Sequence, residues 1–365
     1  MTSRGRRSAL RWLGAGALLA SCAEAPVQPP RVDEGDRLWP LPPELPRFAY
    51  EVALRSHADI VSDSDEDRLR RQLTGQRRAD DRLLEKPAAV AARAGRVYVT
   101  DAIRRSVVVF DAARRKVFQF GLRPPGTLGK PTGIALDAGG LVYVADATLR
   151  KVVVYDALGL FQRTIGEPSQ LQRPTGVAVN ADGSRIYVID RADNDSEQQR
   201  VLAYSRDGNL LQEIGRRGQR EGEFNVPVQG VVTSDGRLHV LDAGNFRVQT
   251  FDADGRFVSS FGGVGTGLGR FARPRALACD TQGRLYVTDA AFGNVQVFTP
   301  GGDLLITLGR GDTRDLPGRY GLLTGVAVDE TGRVYLVDQL FGKVEVLRRL
   351  TEAEGRRLQA AAASG

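Results

Sequence analysis

Cysteine, histidine and methionine are scarce in this chain of 365 residues, with 2 Cys, 2 His and 1 Met. Cys22 and Cys279 cannot build a disulfide framework or a cysteine metal centre. Cys279 lies in 276–280, Ala-Leu-Ala-Cys-Asp, and reads as a small packing residue. His57 and His239 are too few for a multi-histidine metal site, and no Ser-His-Asp arrangement is visible. Lysine is rare as well: Lys86, Lys116, Lys130, Lys151 and Lys343 are all there are among 51 Lys and Arg. The apolar stretch near the start, 13–20, falls far short of the roughly 18–20 residues that cross a bilayer.

That short stretch follows Arg4, Arg6, Arg7 and Arg11 and ends in Leu19-Ala20-Ser21-Cys22. A basic region, a short apolar core and small residues before a cysteine form an export signal of the lipoprotein kind, with Cys22 as the lipidated residue. Arg6-Arg7 also fits a twin-arginine signal. We therefore expect a signal at 1–22 and a location in the cell envelope, lipid-anchored. Without an aspartate after Cys22, this is the periplasm-facing outer membrane if the host has two membranes. Removing four signal arginines lowers the formal charge of +7 by four, to about +3. With export, nucleic acid is not an expected partner. Prolines 26, 29, 30, 40, 42, 43 and 46 lead us to expect an extended tether over 23–46.

Six segments end an apolar run in aspartate: RVYVTD, LVYVAD, RIYVID, RLHVLD, RLYVTD and RVYLVD. Their last residues are Asp101, Asp146, Asp190, Asp242, Asp289 and Asp338, spaced 45, 44, 52, 47 and 49 apart. Each unit reads as inner strand, turn, second strand, third strand, turn and outer strand, with branched and aromatic residues in the strands and Asp, Gly and Asn in the turns. A period in the forties built only of strands is that of a β-propeller blade. An all-β, six-bladed propeller over 47–350 is the expected fold. The sixth unit has no room for an outer strand, whereas 47–55 has strand alternation and no blade. It is expected to close the ring, since an open blade would leave an unpaired edge. Residues 63–86 are expected to connect it through a short helix, and 351–365 to form a disordered tail or a frayed helix.

The units resemble the NHL repeat, most clearly in Phe261-Gly262-Gly263-Val264-Gly265, Gly269-Arg270-Phe271, Pro274 and Gly283-Arg284-Leu285-Tyr286-Val287-Thr288-Asp289. Asn245-Phe246-Arg247-Val248-Gln249 matches that family's approach to the third strand. The resemblance covers roughly 86–350, repeats six times and implies a six-bladed propeller. Its relatives include a zinc-dependent lyase, but that chemistry needs several histidines. Six-bladed lactonases hold calcium through a glutamate, asparagines and an aspartate. Asn180 and Asn194 are candidates by type, but the inner strands offer no ligand set.

The repeated aspartates read as turn-binding groups rather than metal ligands. His239 takes the slot of Tyr98, Tyr143, Tyr187, Tyr286 and Tyr335, which marks a packing residue. The glycines of 263–269 join strands with no helix following, so they do not form a dinucleotide loop. Loops before the inner strands and after the repeated aspartates share one face, and that face is rich in Arg and Lys. We single out Arg104, Arg150, Lys151, Arg173, Arg247 and Arg273 as a binding surface for a protein or an anionic envelope component. Blade three carries an acidic insertion; Asp193, Asn194 and Asp195 are hard ligands that suit calcium, although their spacing is not that of an EF-hand and a solvated loop is the simpler reading. No cofactor is otherwise expected. The reading is a binding scaffold rather than an enzyme. The alternatives are a small-molecule or glycan sensor at the central channel and, behind it, a propeller hydrolase or lyase.

Overall fold

The computed structural model describes residues 36–60, 73, 82–193 and 196–363. The expected signal with Cys22, the first part of the tether and most of the 63–86 connection lie outside the described residues. The compact unit spans Gly35–Gly365.

Six antiparallel sheets follow one another around an axis. Blade two shows the plan: Pro131–Leu136 innermost, then Val142–Asp146, Lys151–Tyr155 and Phe161–Ile165. The six inner strands neighbour one another in a closed circuit, with Leu323–Val328 of blade six against Pro87–Arg93 of blade one. Crowding at the axis explains their small residues: a Cβ on Gly133 would lie 2.7 Å from the Gly176 Cα of the next blade. No larger residue fits there.

The core is not one mass but six clusters, one between each pair of neighbouring blades. Between blades one and two, Tyr98, Val107, Val109, Ile134, Val144 and Tyr155 are all buried. Alternation along each strand sends side chains to both neighbours, so both faces of every sheet are covered and the middle strands become continuous apolar runs.

Blade six is composite. Lys343–Arg349 is its third strand, and Phe48–Leu54 pairs antiparallel with it as the fourth, Tyr50 opposite Leu347 and Leu54 opposite Val344. The expected closing strand is therefore in place. Two expectations need correction beside it. The tether does not extend to 46, because Leu38–Trp39 adds a fifth strand to blade six and Trp39 is buried with Phe48 and Tyr320. Proline density signals extended chain, and an edge strand is also extended; the indole's apolar area decides between free tether and packed strand. Of the two expectations for the tail, the disordered segment is the one corrected, because Glu352–Ala363 is an α-helix. Thr351 accepts the Glu354 N–H at 3.3 Å while the Glu354 carboxylate accepts the Thr351 N–H at 2.8 Å, a capping box followed by alanines of high helix propensity. The helix rests on residues 43–46, with Gly355 against the Pro46 carbonyl and Gln359 donating to Pro43 at 2.6 Å. Among the described residues, no helix is long and apolar enough to cross a membrane.

Candidate functional site: the loop face around the channel mouth

The repeated aspartates organise this face. Asp101, Asp146, Asp190, Asp242, Asp289 and Asp338 are fully buried. Asp146 accepts the N–H groups of Gly129 and Lys130 from the loop before the inner strand, and those of Thr148 and Leu149 from the loop after the second strand. Asp289 does the same with Ala272 and Arg273 on one side and Ala291 and Phe292 on the other. Each of these two carboxylates thus fastens two loops with charge-assisted bonds. Burial pushes the Asp242 carboxyl up to about 6, against the N–H of Asn225, the amide of Asn245 and the charge of Arg247, which lower it.

The residue before each inner strand is set by that clamp. Lys86, Lys130, Arg173 and Arg273 hold this position in blades one, two, three and five, each giving its backbone N–H to the aspartate. Their side chains are exposed, and none has a hydrogen-bond or ion-pair partner among the described residues. Four cations therefore stand at equivalent points of a ring around the channel mouth.

The residues singled out from sequence divide into two kinds. Arg173 and Arg273 belong to this ring. Arg150 is exposed at a left-handed backbone position, φ 52°, and Lys151 beside it is half-buried. Arg104 is occupied by the Arg82 carbonyl at 3.1 Å and Glu85 at 2.9 Å. Arg247 is internal: it donates to the carbonyls of Arg220 at 2.7 Å and Glu223 at 2.9 Å and lies 3.4 Å from Asp242. It holds a loop down and offers no free charge. Of the calcium candidates, Asn194 and Asp195 lie outside the described residues; the Asp193 carbonyl accepts from Ser196 and Gln199. Among the described residues, no group of three or more acidic, His or Cys side chains could hold a metal ion.

Sequence reading missed Arg275. In blades two to six the inner strand begins with a bulge, the register shifting two residues in, as between Pro131 and Gly133 or Pro274 and Ala276. The bulged residue is Thr132, Thr175 and Thr324 in three blades, where the hydroxyl donates to backbone carbonyls. Blade five puts Arg275 there. The signal was present in the aligned repeat, as one arginine among small residues. Burial lowers the proton affinity of Arg275, and the nearby charges of Arg273 and Arg191 lower it further. Arg191 is lowered in the same way, by burial and by Arg173.

Toward the turn face, the channel widens into an open pocket of about 330 Å³ walled by Ile134, Val177, Leu277, Val326 and their neighbours, with Gln229 among its lining residues. Cys279 also lines it, its thiol pushed up to about 12 by burial. His239 is a packing residue: Nδ1 lies 2.9 Å from the Thr250 hydroxyl and Nε2 3.2 Å from that of Thr233. In blades two, five and six the tyrosine hydroxyl at this slot donates to a turn aspartate, as Tyr143 does to Asp137 and Tyr286 to Asp280, both at 3.0 Å. Blade four changes both partners together, His for Tyr and Thr for Asp.

Solved structures with a similar fold include a gluconolactonase from Xanthomonas campestris, 17% identical, over 82% of this chain and 98% of that one, with a TM-score of 0.55. Hydrazine synthase of Kuenenia stuttgartiensis is 18% identical, over 72% and 83%, with a TM-score of 0.53. A catalytically inactive virginiamycin B lyase from Staphylococcus aureus with quinupristin is 13% identical, over 74% and 83%, with a TM-score of 0.52. At these identities the likeness is one of fold, and the fold is a six-bladed β-propeller shared by enzymes and other proteins. No protein-family model matches the chain, nor does any curated protein sequence.

Proposed function

We propose that this chain is an exported, lipid-anchored propeller of the NHL type whose loop face docks an anionic partner of the cell envelope without catalysing a reaction. One observation carries the docking reading: the ring of Lys86, Lys130, Arg173 and Arg273, exposed and unpaired among the described residues. A cation with a nearby carboxylate gains little from a second anion. Four exposed side chains with no ion-pair partner among the described residues raise the local potential, gather anions and speed their encounter. The export reading rests on the basic region and on Leu19-Ala20-Ser21-Cys22. Substituting Cys22→Ala is expected to release the protein from membranes into the soluble fraction; retention on the membrane refutes the anchor.

The docking test is crosslinking of the anchored protein in its own envelope, followed by mass spectrometry. A reproducible partner should disappear when Lys86, Lys130, Arg173 and Arg273 are all changed to Gln. A partner captured equally by that variant overturns the basic face. The variant should fold normally, because backbone N–H and C=O groups at these positions, not the side chains, hold the loops.

A further inference from the structure

We infer that the loop-face mouth of the central channel is a seat for a compact, multiply charged phosphate or carboxylate anion, gripped by Arg275 and flanked by Arg191, Arg173 and Arg273. The inference rests on the basic-face reading but adds a place and a ligand class.

Arg275 carries it. A half-buried guanidinium normally satisfies its five N–H groups with carboxylates, carbonyls or water. Arg275 makes no hydrogen bond or ion pair with any described residue, and its Nε is buried with no partner. Its charged neighbours, Arg273 and Arg191, have the same sign as its own. Arg191 comes from blade three and Arg275 from blade five, on either side of blade four, where the equivalent bulged residue is the neutral Val228; the charge of Arg191 still acts on Arg275. Fixing several cations in a partly dry site costs folding free energy that a simple solvated surface would not. A multivalent anion offsets that cost at one stroke, since each guanidinium presents a rigid fork matched to two oxygens.

The placement is specific. Blades two, three and six use threonine at the bulge and close its hydroxyl on backbone carbonyls. Bulges re-aim side chains, and the blade-five bulge delivers an arginine in place of that self-contained threonine. Arg275→Thr is therefore a conservative return to the repeat, not a disruption. It should fold, and in anion-free buffer it should melt no lower than the parent protein.

The test is calorimetry and thermal melting of the full chain at low salt with inorganic pyrophosphate as probe. Pyrophosphate should bind the parent protein and raise its melting temperature; Arg275→Thr should weaken binding by tenfold or more and abolish the shift. Vesicles of anionic phospholipid, with neutral vesicles as control, form the second arm. Anionic vesicles competing with pyrophosphate place the physiological oxygens on a lipid headgroup, and failure to compete places them on a free anion. Equal pyrophosphate binding by Arg275→Thr, or no binding by the parent protein, overturns the seat. The wider reading fails separately: if the crosslinked partner survives Arg275→Thr but is lost when the four ring cations are neutralised, the face stands and the seat does not.

Discussion

Blades five and six follow one plan, and their contrast shows how the repeat tolerates a break in the chain. In blade five the four strands are consecutive, and Gln296 in the third strand accepts the Gly269 N–H at 3.0 Å and donates to the Arg270 carbonyl at 2.8 Å. Gln249 does the same in blade four with Gly222 and Glu223. Blade six puts Glu345 in that slot. Its carboxylate accepts from Gly318 at 2.8 Å and from the Tyr320 hydroxyl at 2.7 Å, but a carboxylate cannot donate to the next carbonyl. Lys343 supplies the donor, reaching the Arg319 carbonyl at 3.3 Å, Glu345 at 2.9 Å and Asp315 at 3.0 Å. One neutral amide is replaced by a buried ion pair, in the blade that must recruit its outer strand from the far end of the chain.

Removing that recruited strand should have the largest effect. Deleting Phe48–Leu54 exposes the edge of Lys343–Arg349 and strips apolar cover from two interblade clusters. Net stabilities are only about 5–15 kcal/mol, so the product should aggregate. A soluble protein with a cooperative melt would refute the closure. Next is the ion pair: Lys343→Met leaves the Glu345 carboxylate buried without its cation and should cost about 3–5 kcal/mol in urea unfolding. Adding Glu345→Gln should recover most of that loss, because it restores the arrangement of blade five. If the double variant is no better than the single one, the amide and the ion pair are not equivalent.

A third test moves to blade four. Burial holds the His239 imidazole down near 4, below its ordinary 6.5, so the unfolded chain binds its proton first as the pH falls. Stability from this group is present above pH 6.5 and is lost between 6.5 and 4. Asp242 works in the opposite sense: its raised carboxyl, near 6, binds a proton first in the folded state, so acidification below 6 favours folding. His239→Tyr removes the first effect and leaves the second, and its stability relative to the parent protein should rise by about 2 kcal/mol from pH 7 to pH 5. A difference independent of pH would mean that His239 is not neutral in the fold. Adding Thr233→Asp restores the pair found in blades two, five and six, and a double-mutant cycle should give a favourable coupling of about 0.5–3 kcal/mol. The smallest effect is expected at the seam itself. Arg333 and Glu51 meet at 2.8 Å across the closing strand, each about a third exposed, and Glu51→Gln should cost no more than about 1 kcal/mol.

Much of this was legible along the chain, for a local reason. Strand alternation, turn residues and the spacing of 44 to 52 residues are properties of neighbours in sequence, so the six blades, the small inner strands and the recruited strand 48–54 could be read directly. His239 was legible as a packing residue because five tyrosines define its slot. The helix over Glu352–Ala363 was left open between helix and coil because its stability comes partly from docking on residues 43–46, far away in sequence. Trp39 was lost among prolines because nothing local shows where an indole finds its cover.

The basic face divides along the same line. That arginines and lysines gather in the loops of one face follows from the order of strands alone. Which of them remain free does not. Arg247 and Arg173 look alike as loop arginines, yet one is bound to carbonyls some two dozen residues back and the other reaches solvent. Arg275 and Arg191 become neighbours only because the inner strands converge on one axis. The sequence by itself determined the repeat, the ring and the sign of the loop charge, since these depend on residue order. Only the tertiary structure decided which charges are satisfied, because hydrogen bonds and ion pairs act over a few ångströms and the blades that supply both partners meet only when the ring is closed.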